Sequence, residues 1–188
     1  MDHDILISGG GIAGLTVAAA FGAAGFSVLC VDPAPPVMQA TDPGSDLRTT
    51  AFLQPARPFL DDIGLWGRLA DHAMPLQVMR MVDAGGPEPE ARVTREFEST
   101  DLDAGLPFGW NLPNWLLRRE MVDHLNSLPG VCFRTGVAAQ DLLTRTAEAR
   151  VRLSDGQAVR CRLVIAADGR GSPMRQAAGI GVQTTRFG

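Results

Sequence analysis

Apolar residues in this chain gather into short runs divided by glycine, proline and acidic breaks, the rhythm of strands alternating with helices. The short apolar run after Asp4 that stops at a glycine cluster predicts a first strand, and the Ala-rich stretch 13–24 predicts a helix stopped at Gly25. Residues 26–31 (FSVLCV) predict a second buried strand ending at Asp32. After a proline-rich excursion over 33–43 and the segment 46–51, a helix is expected to run to Leu69. Residues 76–83 and 91–98 then predict a hairpin around Gly85, Gly86 and Pro87. Asn114 is placed to cap a helix whose apolar stripe is Leu117, Met121, Leu125 and Leu128, ended by Pro129 and Gly130. A short strand over 131–133 follows, and segments 137–144, 149–154 and 158–160, with a turn at Asp155 and Gly156, predict a small antiparallel meander. The chain then returns in a buried-type strand over 161–166, and Ser172 before Pro173 signals a last helix.

This order predicts an α/β fold: a Rossmann-like βαβ core with a parallel sheet, a small antiparallel meander, and the start of a second, substrate-facing sheet. Residues 1–72 and 101–188 are assigned to the core domain and 73–100 to a hairpin of the second sheet.

The chemistry enters at Gly9-x-Gly11-x-x-Gly14, directly after the first strand. A tight turn is needed at Gly9, close approach of a phosphate at Gly11 and close helix-strand packing at Gly14, so that the first helical N–H groups point at a pyrophosphate. Asp32, at the end of the second strand, is placed to accept hydrogen bonds from ribose hydroxyls. The pattern predicts a dinucleotide site; a glycine-rich turn without a ligand is the competing reading. Late in the chain, Asp168 and Gly169 lie between a strand end and a helix start, where open parallel sheets collect ligands, though the dipeptide alone also reads as an ordinary turn.

Composition narrows this further. A formal charge of −4 with 17 scattered basic residues gives no footprint for nucleic acid. Cys30, Cys132 and Cys161 lie in apolar runs without C-x-x-C spacing and read as buried free thiols of a reducing cytoplasm. His3, His72 and His124 show no metal-ligand spacing, so no metal is expected. Residues 5–26 are Gly- and Ala-rich and follow Asp2 and Asp4, which argues against a membrane span or signal peptide. A cytoplasmic protein is expected, with peripheral contact to a membrane left open.

The glycine fingerprint, Asp32, the D-x-R segment Asp46 to Arg48 and the A-D-G-x-x-S-x-x-R run from Ala167 to Arg175 together resemble the class A flavoprotein monooxygenases of the para-hydroxybenzoate hydroxylase fold. PNWLLRREM (113–121), RTTAFLQP (48–55) and IGLW (63–66) are most similar to the ubiquinone-biosynthesis hydroxylases of the UbiH/Coq type. The resemblance covers essentially the whole chain. It implies FAD as cofactor, with Gly9, Gly11, Ile12, Ala13 and Gly14 around the pyrophosphate and Asp32 on the adenosine ribose. Arg48 and Arg118 match positions near the flavin's phosphates and ribityl chain, and Val137 a backbone site beside adenine; either arginine reads equally as a surface ion pair. Asp168 and Gly169 match a motif tied to FAD and to the transient nicotinamide donor.

For the reaction, the resemblance implies that NADH or NADPH reduces the flavin, O2 adds at its C4a carbon, and the resulting hydroperoxide hydroxylates an electron-rich aromatic ring, here a polyprenylated phenol. The cofactor carries that chemistry, and no general acid or base is named from the sequence. The family's second FAD motif, a Gly-Asp pair, lies well downstream of anything in these 188 residues, so the resemblance also implies an N-terminal portion whose FAD domain is incomplete. Such a portion is expected to be inactive alone and prone to self-association through uncovered apolar surface, with contact to a membrane surface or biosynthetic complex left open. A nicotinamide-dependent dehydrogenase and a non-catalytic FAD-fold module remain the alternatives.

Overall fold

The computed structural model describes residues 1–86, 90–102 and 105–187. Two compact units result: Met1–Asp46 together with Trp115–Gly188, and the inserted Leu47–Asn114. The insertion is wider than the 73–100 hairpin expected from the sequence.

The first unit opens with strand β1 (Ile5–Ser8), helix α1 (Ile12–Ala23) and strand β2 (Val28–Asp32). All four β1 residues are buried. Gly25 follows the helix at φ +83°, a left-handed conformation that closes it without a Cβ clash.

The inserted unit contains β3 (Thr49–Leu53), α2 (Ala56–Asp62), α3 (Trp66–Leu69), β4 (Met74–Leu76), β5 (Val78–Asp83), β6 (Val93–Glu98) and β7 (Gly109–Pro113). Three sequence expectations are corrected here. The stretch expected as one helix to Leu69 begins as strand β3 and is then broken between α2 and α3, where Gly64 at φ +72° ends the first of them. Residues 76–83 do not form one strand: β4 pairs with β7, while β5 pairs with β6 in a separate two-stranded sheet. Strand β7 was hidden because its end, Leu112-Pro113 followed by Asn114, read as a helix entry, yet it is the centre of the antiparallel order β3-β7-β4. Of the expected hairpin turn, Pro87 lies outside the described residues. Leu60, Leu65, Leu69 and Leu112 are buried, and the Trp66 and Trp110 rings meet edge to face at 5.2 Å with the Arg57 guanidinium over both.

The chain returns to the first unit through α4 (Asn114–Asn126), then β8 (Val131–Thr135), β9 (Ala139–Thr144), β10 (Ala149–Leu153), β11 (Ala158–Cys161), β12 (Leu163–Ala166) and the short helix α5 (Pro173–Ala177). Leu117, Met121 and Leu125 are buried, as the stripe predicts. Asn114 is the first residue of α4, and its Oδ1 accepts the Thr50 hydroxyl at 2.7 Å.

Four parallel strands in the order β12-β1-β2-β8 make the main sheet, and β11-β10-β9 the meander. Side chains alternate between faces of a strand, and Leu6 is in register with Leu29. These two, with Val31, pack against the inner face of the meander, where Ala149, Val151, Leu153, Val159 and Cys161 are all buried. Cys161 therefore belongs to the meander and not to the returning strand. That strand, β12, is an edge, and Leu163 is 45% exposed, so the buried strand expected over 161–166 is only half buried. Among the described residues no helix is long and apolar enough to cross a membrane.

The three thiols divide. Cys30 and Cys161 are buried, but Cys132, on the edge strand β8, is exposed, contrary to the expectation of three buried thiols. Burial, with the Asp32 carboxylate second, pushes the Cys30 thiol up to about 12 from its ordinary 9.0; burial also raises Cys161. One thiol is therefore expected to react rapidly with a disulfide reagent in the native protein and three in denaturant. Mass mapping that finds Cys30 labelled as fast as Cys132 would contradict the packing. The sign of the linkage follows: the folded state keeps the Cys30 proton where the unfolded chain has lost it. This contribution is intact below pH 9.0 and is lost as pH rises toward about 12. Urea midpoints should fall above pH 9, and less steeply in Cys30→Ala.

Candidate functional site

The end of β1 and the start of α1 are joined by Gly9, Gly10 and Gly11, and the surroundings show why each is glycine. Gly9 has φ +108°, and a Cβ there would sit 2.6 Å from the Ala167 carbonyl carbon. A Cβ on Gly14 would overlap the Gly9 carbonyl oxygen. At Gly11, by contrast, there is nothing within 4 Å of that position, so this backbone faces open space. The three glycines thus split into two that close the turn and one that leaves room for a ligand. Gly10, which the sequence pattern left unassigned, is equally constrained: its Cβ would lie 2.7 Å from the Phe133 ring.

The open space adjoins a bare helix end. Gly11 caps α1 without a side chain, and the first turn holds no acidic residue. Among the described residues, the N–H groups of Gly11, Ile12, Ala13 and Gly14 have no hydrogen-bond partner, and Leu15 is the first to donate back, to the Gly11 carbonyl at 2.9 Å. Four orphan donors and an uncompensated positive helix end fit an anion.

Asp32 stands beside this turn. One carboxylate oxygen accepts the Gly10 N–H at 2.6 Å and the other the Ala34 N–H at 2.9 Å. A carboxylate has about four acceptor sites, so each oxygen keeps capacity for a ligand hydroxyl. The loop after β12 reaches the same place: the Ala167 N–H donates to the Ser8 carbonyl at 2.7 Å, and Asp168 follows. A cleft of about 320 Å³ results, lined by Ser8, Gly9, Gly11, Asp32, Asp168 and Gly169 together with Ala138 and Ala139 at the start of β9.

The predicted residues therefore fall into three groups. Gly9, Gly11, Asp32, Asp168 and Gly169 line one cleft, and Ile12, Ala13 and Gly14 form the bare helix end. Val137 turns its side chain into the core and donates its N–H to the Asp32 carbonyl at 3.1 Å; its neighbours Ala138 and Ala139 line the cleft instead. Arg118 lies on α4, outside the cleft lining, and its Nε is buried with no partner among the described residues. Arg48 belongs to the inserted unit, exposed just before β3, with its carbonyl accepting the Asn114 N–H at 2.9 Å. Sequence reasoning missed Ser8, Phe133, Ala138 and Ala139. The signal available for Ser8 was a polar residue closing an otherwise apolar strand.

Phosphate and ribose hydroxyls need, respectively, free N–H donors and carboxylate acceptors; the bare helix end supplies the first and Asp32 in the cleft lining the second, while the small residues Ala138 and Ala139 complete the lining. No group of three metal-ligating side chains occurs among the described residues.

Comparison with known proteins adds the following. The FAD binding domain family matches residues 2–187. Ubiquinone hydroxylase UbiL of Rhodospirillum rubrum is 35% identical over 98% of this chain and 41% of its own length. The 3-demethoxyubiquinol 3-hydroxylase of Escherichia coli is 29% identical over 98% of this chain and 46% of its own. The chain thus spans less than half the length of these curated relatives. Among solved structures, the flavin-dependent monooxygenase PieE, in complex with FAD and substrate, aligns with TM-score 0.74 and 26% identity over 95% of this chain and 32% of that one. The p-nitrophenol 4-monooxygenase PnpA of Pseudomonas putida shares the fold, with TM-score 0.76 and 22% identity over 94% of this chain and 43% of that one.

Proposed function

Because this chain belongs to the FAD-binding domain family, we propose that its cleft holds the adenosine and pyrophosphate end of FAD within an aromatic hydroxylase acting on a polyprenylated phenol. The observation that carries the reading is the bare amino end of α1 beside Asp32, a donor set for pyrophosphate next to an acceptor for ribose. Gly11, Ile12 and Ala13 offer main-chain N–H groups to the phosphates, and Asp32 takes the ribose hydroxyls. Arg118 is proposed to meet the more distal phosphate and ribityl groups, the role that the resemblance also gives Arg48. The unpartnered Nε of Arg118 supports a polar ligand there.

When bound, the flavin supplies the redox chemistry: two electrons from NADH or NADPH, and activation of O2 for insertion of one oxygen atom into an electron-rich ring. The protein's part is to hold, orient and exclude water. The polyprenylated phenol is favoured by the two relatives named ubiquinone hydroxylase and 3-demethoxyubiquinol 3-hydroxylase. Contact with a membrane surface or a biosynthetic complex, and self-association of these 188 residues taken alone, belong to the same proposal.

Titration with FAD is expected to give a yellow protein with a shifted flavin spectrum and quenched flavin fluorescence, and NAD alone should not compete. Saturable NAD binding with no flavin spectrum would favour the dehydrogenase reading. Bound FAD with no phenol-stimulated NAD(P)H oxidation would leave a non-catalytic module.

A further inference from the structure

We infer that Asp168 acts as a positioning residue: its carboxylate accepts from Ser172, Met174 and Ser8, three of its about four acceptor sites, so that the 167–171 loop meets its ligand chiefly through main chain rather than through this acid. The inference rests on the FAD reading for its ligand, but its geometry is independent of it. One oxygen of Asp168 accepts the Ser172 hydroxyl. Its other oxygen accepts the Met174 N–H at 3.0 Å and the Ser8 hydroxyl at 3.5 Å. Both serines are buried, at 4% exposure for Ser8 and 6% for Ser172.

Ser172 also accepts the Arg175 N–H at 3.0 Å, so a single hydroxyl ties Asp168 to the first turn of α5. Through Ser8 the same carboxylate reaches the residue that begins the glycine turn, and the Ala167 N–H bonds the Ser8 carbonyl beside it. Asp168 is thus the node joining the end of β1, the loop after β12 and α5. Removing it loosens the wall against which Gly9 packs. Gly169, at φ +83° and exposed, has nothing within 4 Å of its Cβ position and lines the cleft beside Ala167 and Asp168, its main chain open to a ligand.

A residue that binds ligand directly and one that holds the loop give different patterns across Asp168→Asn, Ser172→Ala, Ser172→Thr and the Asp168→Asn/Ser172→Ala double variant. Positioning predicts that Asp168→Asn and Ser172→Ala each weaken FAD binding about tenfold, the loss of one charge-assisted hydrogen bond. Their double variant should be no worse than the weaker single, and Ser172→Thr should restore affinity. In the protein without FAD, amide exchange over residues 8–10 and 167–174 should quicken by a similar factor, with the Val151 amide unchanged as a control for folding. If Asp168→Asn weakens FAD while Ser172→Ala and the exchange rates stay at their original values, Asp168 is a direct ligand and the inference is overturned. Failure of the unsubstituted protein to bind FAD sinks the FAD reading, while the exchange arm still decides whether Asp168 holds the loop. If Asp168→Asn does not fold, the Ser172→Ala and Ser172→Thr pair carries both arms.

Discussion

Alanine at Gly14 is expected to prevent stable folding, whereas alanine at Gly11 leaves the fold intact and removes FAD affinity. The Cβ of Gly14→Ala would overlap the Gly9 carbonyl oxygen, with Ala167 Cβ 3.3 Å away on the other side, so backbone must move. A clash that flexible side chains cannot relieve belongs to the rare class costing more than about 4 kcal/mol. Gly9→Ala meets the Ala167 main chain and a positive φ together, and should behave alike. Gly11 has φ −74° and open space, so alanine fits and stability should change by less than about 1 kcal/mol. The new methyl would instead occupy the place where phosphate meets backbone. Loss of two charge-assisted hydrogen bonds corresponds to about a hundredfold in affinity or more. Urea unfolding and FAD titration of the three variants separate the two effects. A Gly11→Ala protein that binds FAD normally would show that phosphate does not sit at this helix end.

Asp32→Ala should weaken FAD about a hundredfold and also cost about 1–3 kcal/mol of stability, because its carboxylate serves both ligand and turn. Two main-chain donors, from Gly10 at 2.6 Å and Ala34 at 2.9 Å, lose their acceptor in that variant. Asp32→Asn keeps one acceptor oxygen, so it should recover part of the stability and less of the affinity. FAD fluorescence titrations beside thermal unfolding would check the pair. Equal loss of affinity and stability in both variants would mean that Asp32 acts through the turn alone.

Much of the site was legible because its constraints are local. The Gly-x-Gly-x-x-Gly spacing and an acid at the end of the next strand lie within one βαβ unit, where periodicity and turn chemistry act over a few residues. Ser172 and Pro173 likewise announced the start of α5, and the serine does cap it, accepting the Arg175 N–H. The inserted unit was read less well. Its β7 pairs with β3, about sixty positions away, and with β4 on its other edge, and nothing in the GWNLP string reports either partner. The residues 52–53 lost to a predicted helix show the same weakness, since Phe52 extends because it pairs with Trp110.

Sequence alone determined the βαβ core, the bare helix end and the presence of Asp32 beside it, since these follow from strand alternation, glycine's freedom and reach along a short stretch of chain. Only the tertiary structure decided that Phe133 forbids a side chain at Gly10, that Ala138 and Ala139 line the cleft in place of Val137, and that Asp168 spends its carboxylate on Ser172, Met174 and Ser8. Steric exclusion and hydrogen-bond pairing are properties of atoms brought together from distant positions, and the order of residues does not state which atoms those will be.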